Sequence, residues 1–205
     1  MHIIGASGHA KVVADILKLI NQPVLGVWDD NEQLETFLTF PINGSLKQFK
    51  AELGTKAIIT IGNNNIRKAV AGQLNSEFGQ AIHPACTIAV SVQVAEGTVA
   101  MANVTVNADA VIGKHVILNT NCSVDHDCKI GDFVHISPQA GLAGNVEVGE
   151  GTHIGIGASI IQGITIGKWA TIGAGTVVIR DVPDYAVVVG NPGKIIKYNP
   201  TNHEQ

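Results

Sequence analysis

The 205-residue chain has little clustered positive charge, few aromatic side chains, few cysteines and no long apolar run. A formal net charge of −4 argues against DNA or an anionic membrane as a partner, because both attract clustered Lys and Arg. No apolar run approaches the length of a membrane span, and the chain begins with a strand-like segment instead of a basic and then apolar leader. Three cysteines without paired spacing fit a reducing compartment, so we expect a cytoplasmic protein.

Glycine, in contrast, occurs 23 times, and 45% of the residues are hydrophobic, as is typical of a folded globular chain. Many glycines with few aromatics favour a tightly turned, repetitive backbone. A period of six residues runs through the second half of the chain, and every sixth residue is aliphatic. These residues are Ile82, Ile88, Val94, Ala100, Val106, Ile112, Leu118, Val124, Ile130, Ile136, Leu142, Val148, Ile154, Ile160, Ile166, Ile172 and Val178.

A second series lies four residues after each of these positions and is mostly small or β-branched. It includes all three cysteines, Cys86, Cys122 and Cys128, which we therefore expect to be buried core residues. A period of six matches neither an α-helix nor simple strand alternation, but it is typical of a parallel β-helix in which each unit forms one flat face. We expect both series to point inward, with glycines after the large residues at crowded corners.

Residues 1–81 show a different pattern, so we expect one domain there and a second, with a C-terminal tail, in residues 82–205. Strand, turn and helix follow one another in "HIIGASGHAKVVADILKLI" and "KAIITIGNNNIRKAVAGQL", and a strand precedes two acids in "PVLGVWDD". Alternating strands and helices predict a small Rossmann-like α/β domain with a parallel sheet. Its ligand is expected beyond the carboxyl ends of the strands, where residues 5–9, 29–30 and 62–64 lie.

The first of these loops is an incomplete G-x-G-x-x-G, because Ser7 replaces the second glycine. It still opens a helix whose free N–H groups favour a phosphate, and Asp29 follows at the spacing of an acid that binds a ribose or a base. The alternative is that the glycines only permit a tight turn and that the acids form a solvated strand end. A front domain of this size is short for a dinucleotide, which disfavours hydride chemistry.

Five stretches together resemble a known family: "GASGHAKVV", "WDD", "IGNNNIRK", "VILNTNCSVDHDCKIGDFVHISPQAGLAGNV" and "VVVGNPGKII". They are similar to the hexapeptide-repeat nucleotide-sugar acetyltransferases, in particular the bacillosamine-pathway enzymes that N-acetylate UDP-linked 4-amino sugars. GDP-perosamine N-acetyltransferases and sialic acid O-acetyltransferases are related to these. The resemblance implies a left-handed parallel β-helix with three faces, an exception to the right-handed crossover rule. It also implies a homotrimer that binds acetyl-CoA between neighbouring β-helices.

Two histidines, His126 and His135, lie at outward positions of the repeat. A zinc site is one interpretation, since γ-class carbonic anhydrases use this β-helix, but their close histidine pair has a shorter spacing and zinc leaves the front domain unexplained. A solvated surface is another. Acetyl transfer needs a base with a pKa near neutrality to take the proton of a sugar amine. His126 matches the family's catalytic histidine, and Asp127 matches the acid that orients it, where the bacillosamine-type enzyme has glutamate.

The resemblance implies roles for further residues. His135 matches a contact to the thioester region of acetyl-CoA, and the Gly144 N–H matches a donor to the tetrahedral oxyanion. Ile156 and Ala174 match acetyl-CoA contacts, Ala174 in place of a glycine. The residues that match the nucleotide-sugar site are Ser7, Gly8, His9, Asp29, Asp30 and Gly62. Asn119 is a further candidate for positioning the substrate, and we expect no metal.

The remaining histidines lack a comparable context and are expected at the surface: His2, His83, His115, His153 and His203. The sequence predicts acetyl-CoA-dependent N-acetylation of a 4-amino-4,6-dideoxy sugar carried on a nucleotide, with UDP favoured and His126 as general base. Direct attack on the thioester is expected, because every cysteine is assigned to the core. Three alternatives stay open: O-acetylation of sialic acid or another sugar hydroxyl, a zinc-binding β-helix trimer, and a nucleotide-sensing assembly protein.

Overall fold

The computed structural model describes residues 1–200. Residues 201–205 lie outside this range, and with them the end of the predicted tail and His203, whose predicted surface position is therefore not described.

The front of the chain folds into a six-stranded sheet with one helix between its first strands and one near its end. Its elements are β1 (His2–Ile4), α1 (Gly8–Leu19), β2 (Gly26–Trp28), β3 (Thr36–Phe37), β4 (Phe40–Gly44), a 3-10 helix (Leu46–Gln48), β5 (Lys56–Ile59), α2 (Asn64–Gln73) and β6 (Glu77–Phe78). The strand order is β3-β4-β2-β1-β5-β6, and only the β3–β4 pair is antiparallel. The predicted small α/β fold is confirmed, while β3, β4 and β6 are strands that the sequence did not predict.

Seventeen two-residue strands follow, and they build the three faces of a parallel β-helix. Face 1 contains β7 (Ala81–Ile82), β10 (Val99–Ala100), β13 (Ile117–Leu118), β16 (His135–Ile136), β19 (His153–Ile154) and β22 (Thr171–Ile172). Face 2 contains β8 (Thr87–Ile88), β11 (Thr105–Val106), β14 (Ser123–Val124), β17 (Gly141–Leu142), β20 (Ser159–Ile160) and β23 (Val177–Val178). Face 3 contains β9 (Gln93–Val94), β12 (Val111–Ile112), β15 (Lys129–Ile130), β18 (Glu147–Val148) and β21 (Thr165–Ile166). Face 1 ends with β24 (Ala186–Val189) and an antiparallel β25 (Lys194–Tyr198).

The two predicted series form the core of this β-helix. Strands pair in register with the strands of the next coil, so that Ile112, Ile130 and Val148 stack in one column. The large series is buried apart from Ile82, Ile88 and Val94 of the first coil, which are half-buried. Cys122 and Cys128 are buried and Cys86 is half-buried, as expected of core residues at the middle and at the end of a solenoid.

Close contact between coils explains the glycines at the corners. A Cβ on Gly149 would lie 2.5 Å from the backbone nitrogen of Lys168 in the next coil, which leaves no room for a side chain. The backbone is left-handed not at these glycines but two residues after them, and this conformation recurs every six residues along much of the β-helix. Non-glycine residues occupy many of these left-handed positions, among them Asn121, Asp127 and Asn145. Asn and Asp tolerate this conformation better than most residues.

The front domain packs on the early strands of face 1. Val13, Ile16 and Leu17 of α1 share one buried cluster with Val99 and Ile117 of face 1. The surface prediction is therefore wrong for two histidines. His115 is only 4% exposed because its ring stacks on Phe133 and meets the edge of Phe78, and His2 is buried against Trp28 and Phe49. Among residues 1–200, neither α-helix combines the length and the apolar character that crossing a membrane requires.

Candidate active site

His126 lies on the corner between faces 2 and 3, directly after β14. Its side chain is 60% exposed, and its Nδ1 lies 2.7 Å from Oδ2 of Asp127. Because a carboxylate only accepts, Nδ1 carries the proton and Nε2 is left with a free lone pair. The backbone holds the corner in place, since the amide of Asn145 in the next coil donates to the His126 carbonyl at 2.9 Å.

Two carboxylates set the electrostatics of this corner. The hydrogen bond to Asp127 is the main cause that raises the pKa of His126, and the charge of Asp125 adds to it. Asp125 does not touch the ring; it accepts from the His126 amide at 2.8 Å and from Asn107 at 2.7 Å. These two hydrogen bonds lower the pKa of Asp125, so it stays ionised. The ring is therefore a strengthened base at an exposed position.

Gly144 lies under the His126 ring, one coil further along the same corner. A Cβ at this position would lie 2.6 Å from both Cε1 and Nε2 of the imidazole, so the glycine makes the space that the ring occupies. Within residues 1–200 the Gly144 N–H donates to no protein acceptor, although its carbonyl accepts from Gly163. A basic nitrogen and an unpaired amide thus lie side by side.

Ile156 and Ala174 lie on the other edge of face 2, at the corner between faces 1 and 2. They occupy equivalent positions in successive coils, and both are exposed. Within one chain, face 2 separates them from His126 and Gly144. The structure therefore groups these predicted residues into two sets on opposite edges of one face.

The predicted nucleotide loops meet at the carboxyl end of the front sheet. Ser7 precedes α1 without capping it through its side chain, and Gly8 faces open space. His9 is half-buried, and burial together with the charge of Arg67 lowers its pKa to about 4. Its buried Nε2 has no hydrogen-bond partner within the described chain. We call the space at the carboxyl end of the front sheet, between residues 5–9, 29–30 and 62–64, the crevice. The N–H groups at the start of α1 and the Nε2 atom of His9 are available there to a ligand.

The two acids of the second loop hold backbone amides. Asp29 accepts from Ala6 at 2.6 Å and from Asn31 at 2.8 Å, and Asp30 accepts from Leu46 at 2.8 Å. Asp29 therefore shapes the first loop, and only its remaining lone pairs face a ligand. Its role in binding a nucleoside stays a prediction.

Gly62, Asn119 and His135 converge below the crevice. Asn119 accepts from the Thr120 amide through Oδ1, so its Nδ2 donates to Nε2 of His135 at 3.1 Å. Burial, followed by the charges of His153, Arg67 and His9, lowers the pKa of His135 to about 3, while the Gly62 backbone acts in the opposite direction. Asn119 thus lies against His135 and supports the crevice, whereas His126 lies on a different corner.

Two residues of this region, His153 and Arg67, were not among the predicted site residues. His153 stacks on His135 with 4.9 Å between ring centroids, and its Nε2 lies 2.8 Å from Oγ of Ser137. It also lines a cleft of about 450 Å³ between the α2 start and the β-helix, together with Trp169 and Tyr185. Arg67 of α2 is the other. Only a periodic alignment of face 1, which places positions 135 and 153 in one column, could have indicated His153.

Within residues 1–200, no three His, Cys, Asp or Glu side chains are arranged to hold a metal ion.

Two families match the chain. Residues 1–74 match the PglD N-terminal domain, and residues 109–144 and 145–180 each match the bacterial transferase hexapeptide (six repeats). Among curated proteins there is no significant match.

Solved structures resemble nearly the whole chain. A variant of GDP-perosamine N-acetyl transferase from Caulobacter crescentus, in complex with CoA and GDP-perosamine, is 37% identical, with a TM-score of 0.91 and 96% of each chain covered. The acetyltransferase domain of PglB from Neisseria gonorrhoeae, in complex with acetyl coenzyme A, is 37% identical, with a TM-score of 0.87 over 95% of this chain and 98% of that one. WeeI from Acinetobacter baumannii is 29% identical, with a TM-score of 0.84 over the same shares.

Proposed function

This chain belongs to the hexapeptide-repeat sugar N-acetyltransferases that carry a PglD N-terminal domain, and on that premise we propose that it transfers the acetyl group of acetyl-CoA to the 4-amino group of a nucleotide-linked 4-amino-4,6-dideoxy sugar. One observation carries the proposal for the chemistry: an oriented imidazole with a free Nε2 lies beside an unpaired backbone amide on an exposed corner.

The roles follow from this geometry. Nε2 of His126 takes the proton that the attacking amine loses, and the Asp127 carboxylate stabilises the imidazolium that forms. As the nitrogen bonds to the thioester carbon, the carbonyl oxygen gains negative charge, and the Gly144 N–H is free to donate to it. Collapse of the intermediate breaks the C–S bond, and the His126 imidazolium returns its proton to the departing thiolate, which leaves as the CoA thiol. No covalent acyl-enzyme is needed.

The acceptor occupies the crevice of the front domain in this proposal. Free N–H groups at the start of α1 suit the pyrophosphate, and residues 29–30 and 62 surround the nucleoside. The sequence favours UDP, whereas the Caulobacter crescentus relative was captured with GDP-perosamine. Both observations support a nucleotide site in the front domain, and the acceptor panel below tests which base it binds.

We further propose a homotrimer with sites between subunits. His126 and Ile156 lie on opposite edges of face 2, so one chain cannot bring the proposed base and the proposed coenzyme contacts together. Ile156, Ile161 and Ile179 on those edges are 56%, 37% and 42% exposed, and a neighbouring β-helix would cover them. Sedimentation equilibrium tests the assembly: a monomer in solution would contradict it.

A panel of acceptors tests the proposed function. The protein is incubated with acetyl-CoA and UDP-, GDP- or dTDP-linked 4-amino sugars, or with free sialic acid, and thiol release is followed. We expect release with a nucleotide-linked amino sugar and an amide in the product. Release with sialic acid alone would establish the O-acetyltransferase alternative instead.

The Asp127→Asn variant tests how the base is tuned. Transfer requires the neutral His126 ring, so kcat/KM rises as pH increases through its pKa. Removing the carboxylate lowers that pKa, and the acidic limb of the profile moves to lower pH. The weaker base also lowers the maximal rate by about tenfold. Measurement of kcat/KM against pH gives both effects.

Two matched variants accompany this profile. Asp125→Asn removes a carboxylate that raises the pKa of His126 through its charge and not through a hydrogen bond to the ring, and it is expected to move the limb in the same direction by a smaller amount. Asp127→Glu keeps the charge and is expected to restore the limb. An unchanged limb in Asp127→Asn would show that Asp127 does not tune the base.

A further inference from the structure

Arg67 is the largest fully buried side chain of the described residues, with 1% exposure. It belongs to α2 and joins the front domain to the β-helix. Its guanidinium donates to the carbonyls of Ile61 and Gly62 and to Oδ1 of Asn64 on the front domain. It also donates to the carbonyls of His115 and Phe133 on the β-helix, at 2.9 and 2.8 Å.

These five acceptors satisfy the donors of Arg67 but carry no negative charge. None of the ion pairs formed within residues 1–200 includes it. Burial lowers the pKa of Arg67 to about 10, so it remains a cation at neutral pH. A buried charge without a counter-ion is unusual, because buried ions are normally paired.

Arg67 lies directly against the Gly62 loop, one of the loops at the carboxyl end of the front sheet. Burial is the main cause that lowers the pKa values of His9, His135 and His153, and the charge of Arg67 adds to it. His9 and His135 are therefore neutral at neutral pH, so neither supplies a competing positive charge. The unpartnered Nε2 of His9 lies in the same region and points to a missing polar partner.

We propose that Arg67 is a specificity-determining residue, whose buried charge selects an acceptor with a pyrophosphate and whose hydrogen bonds position the Gly62 loop. This inference rests on the proposed function and adds how the enzyme distinguishes a nucleotide-linked sugar from a free one. The charge acts through space from inside the protein, where solvent screens it little.

Two exposed lysines are the rival sources of positive charge. Lys68, next along α2, is occupied by an ion pair with Glu150 and by the face of Trp169. Lys11, in the early part of α1, is exposed near the first loop. Both are readily solvated, so each is expected to contribute less to pyrophosphate selection than the buried guanidinium.

Calorimetry with the 205-residue protein tests the assignment without requiring catalysis. The probes are UDP and GDP, each compared with its nucleoside, and the quantity is the ratio of the two Kd values. In Arg67→Gln this preference for the diphosphate is expected to fall roughly tenfold, as loss of one nearby charge predicts. Arg67→Lys, which keeps the charge, is expected to retain most of the preference, and Lys68→Gln all of it.

Folding is checked by circular dichroism and thermal melting, because Arg67→Gln leaves buried carbonyls without donors. If it does not fold, Arg67→Lys and Lys11→Gln decide: loss of the preference in either folded variant would overturn the charge assignment. A folded Arg67→Gln with wild-type preference would overturn it as well. A wrong assignment of Arg67 would not affect the result of the transfer assay. Absence of an N-acetylated product in that assay would refute the proposed function but would not change the measured Kd ratio.

Discussion

The His126→Ala variant is expected to lose between about one hundred and ten thousand-fold in kcat, the range that a positioned general base contributes. The melting temperature should change little, because the side chain is 60% exposed. The amine would have to lose its proton to water, while binding of acetyl-CoA and of the nucleotide sugar should persist. Steady-state kinetics with both substrates varied, together with thermal melting, measures these quantities.

Gln162→Ala is the matched control, because Gln162 occupies the equivalent corner position two coils further on and is also exposed. It is expected to keep wild-type turnover. Equal losses in both variants would indicate that the corner acts through assembly and not through proton transfer.

Gly144→Ala is expected to reduce kcat by roughly one hundredfold, because a displacement of about 1 Å at a catalytic group has effects of that size. The new Cβ would lie 2.6 Å from Nε2 of His126, and the exposed ring moves more easily than the backbone. Alanine retains the backbone N–H, so the loss would report displacement of the base and not loss of the oxyanion donor. The backbone of Gly144 is not left-handed, and the fold should therefore be preserved.

Gly72→Ala, on an exposed part of α2 with open space around it, controls for glycine replacement as such and should leave kcat unchanged. The double variant His126→Ala/Gly144→Ala separates the causes further. If Gly144 acts through the His126 ring, the double variant should be no slower than His126→Ala alone. Additive losses would show that Gly144 acts independently.

The β-helix was predictable because each inward position imposes the same requirement on every coil. The columns through Ile112 and Val124 are aliphatic at each step, so a single chain reveals the period. Corner glycines such as Gly149 report crowding between coils in the same way. The hydrogen bond between His126 and Asp127 could also be predicted, since the two residues are adjacent in the chain and the contact does not depend on how distant segments pack.

Contacts between the two parts of the chain were not predictable from spacing. His115 is buried because Phe78 of the front domain covers it, and the repeat alone places it on a corner in solvent. The helical pattern of α2 gives no sign that Arg67 is buried. Its burial depends on the packing of α2 against the β-helix, where it donates to the carbonyls of His115 and Phe133. The outward position of Asn119 follows from the repeat, but its contact with His135 of the next coil appears only in the folded β-helix.

The most direct test of His126-dependent N-acetylation compares two acceptors that differ in one functional group. One is a nucleotide-linked 4-amino-4,6-dideoxy sugar, and the other carries a hydroxyl in place of the amine. Each is incubated with acetyl-CoA and either the wild-type protein or His126→Ala, and the product is identified by NMR. The account predicts an N-acetyl amide from the amine, formed rapidly by the wild type alone. Rapid ester formation from the hydroxyl sugar, or undiminished amide formation by His126→Ala, would contradict it.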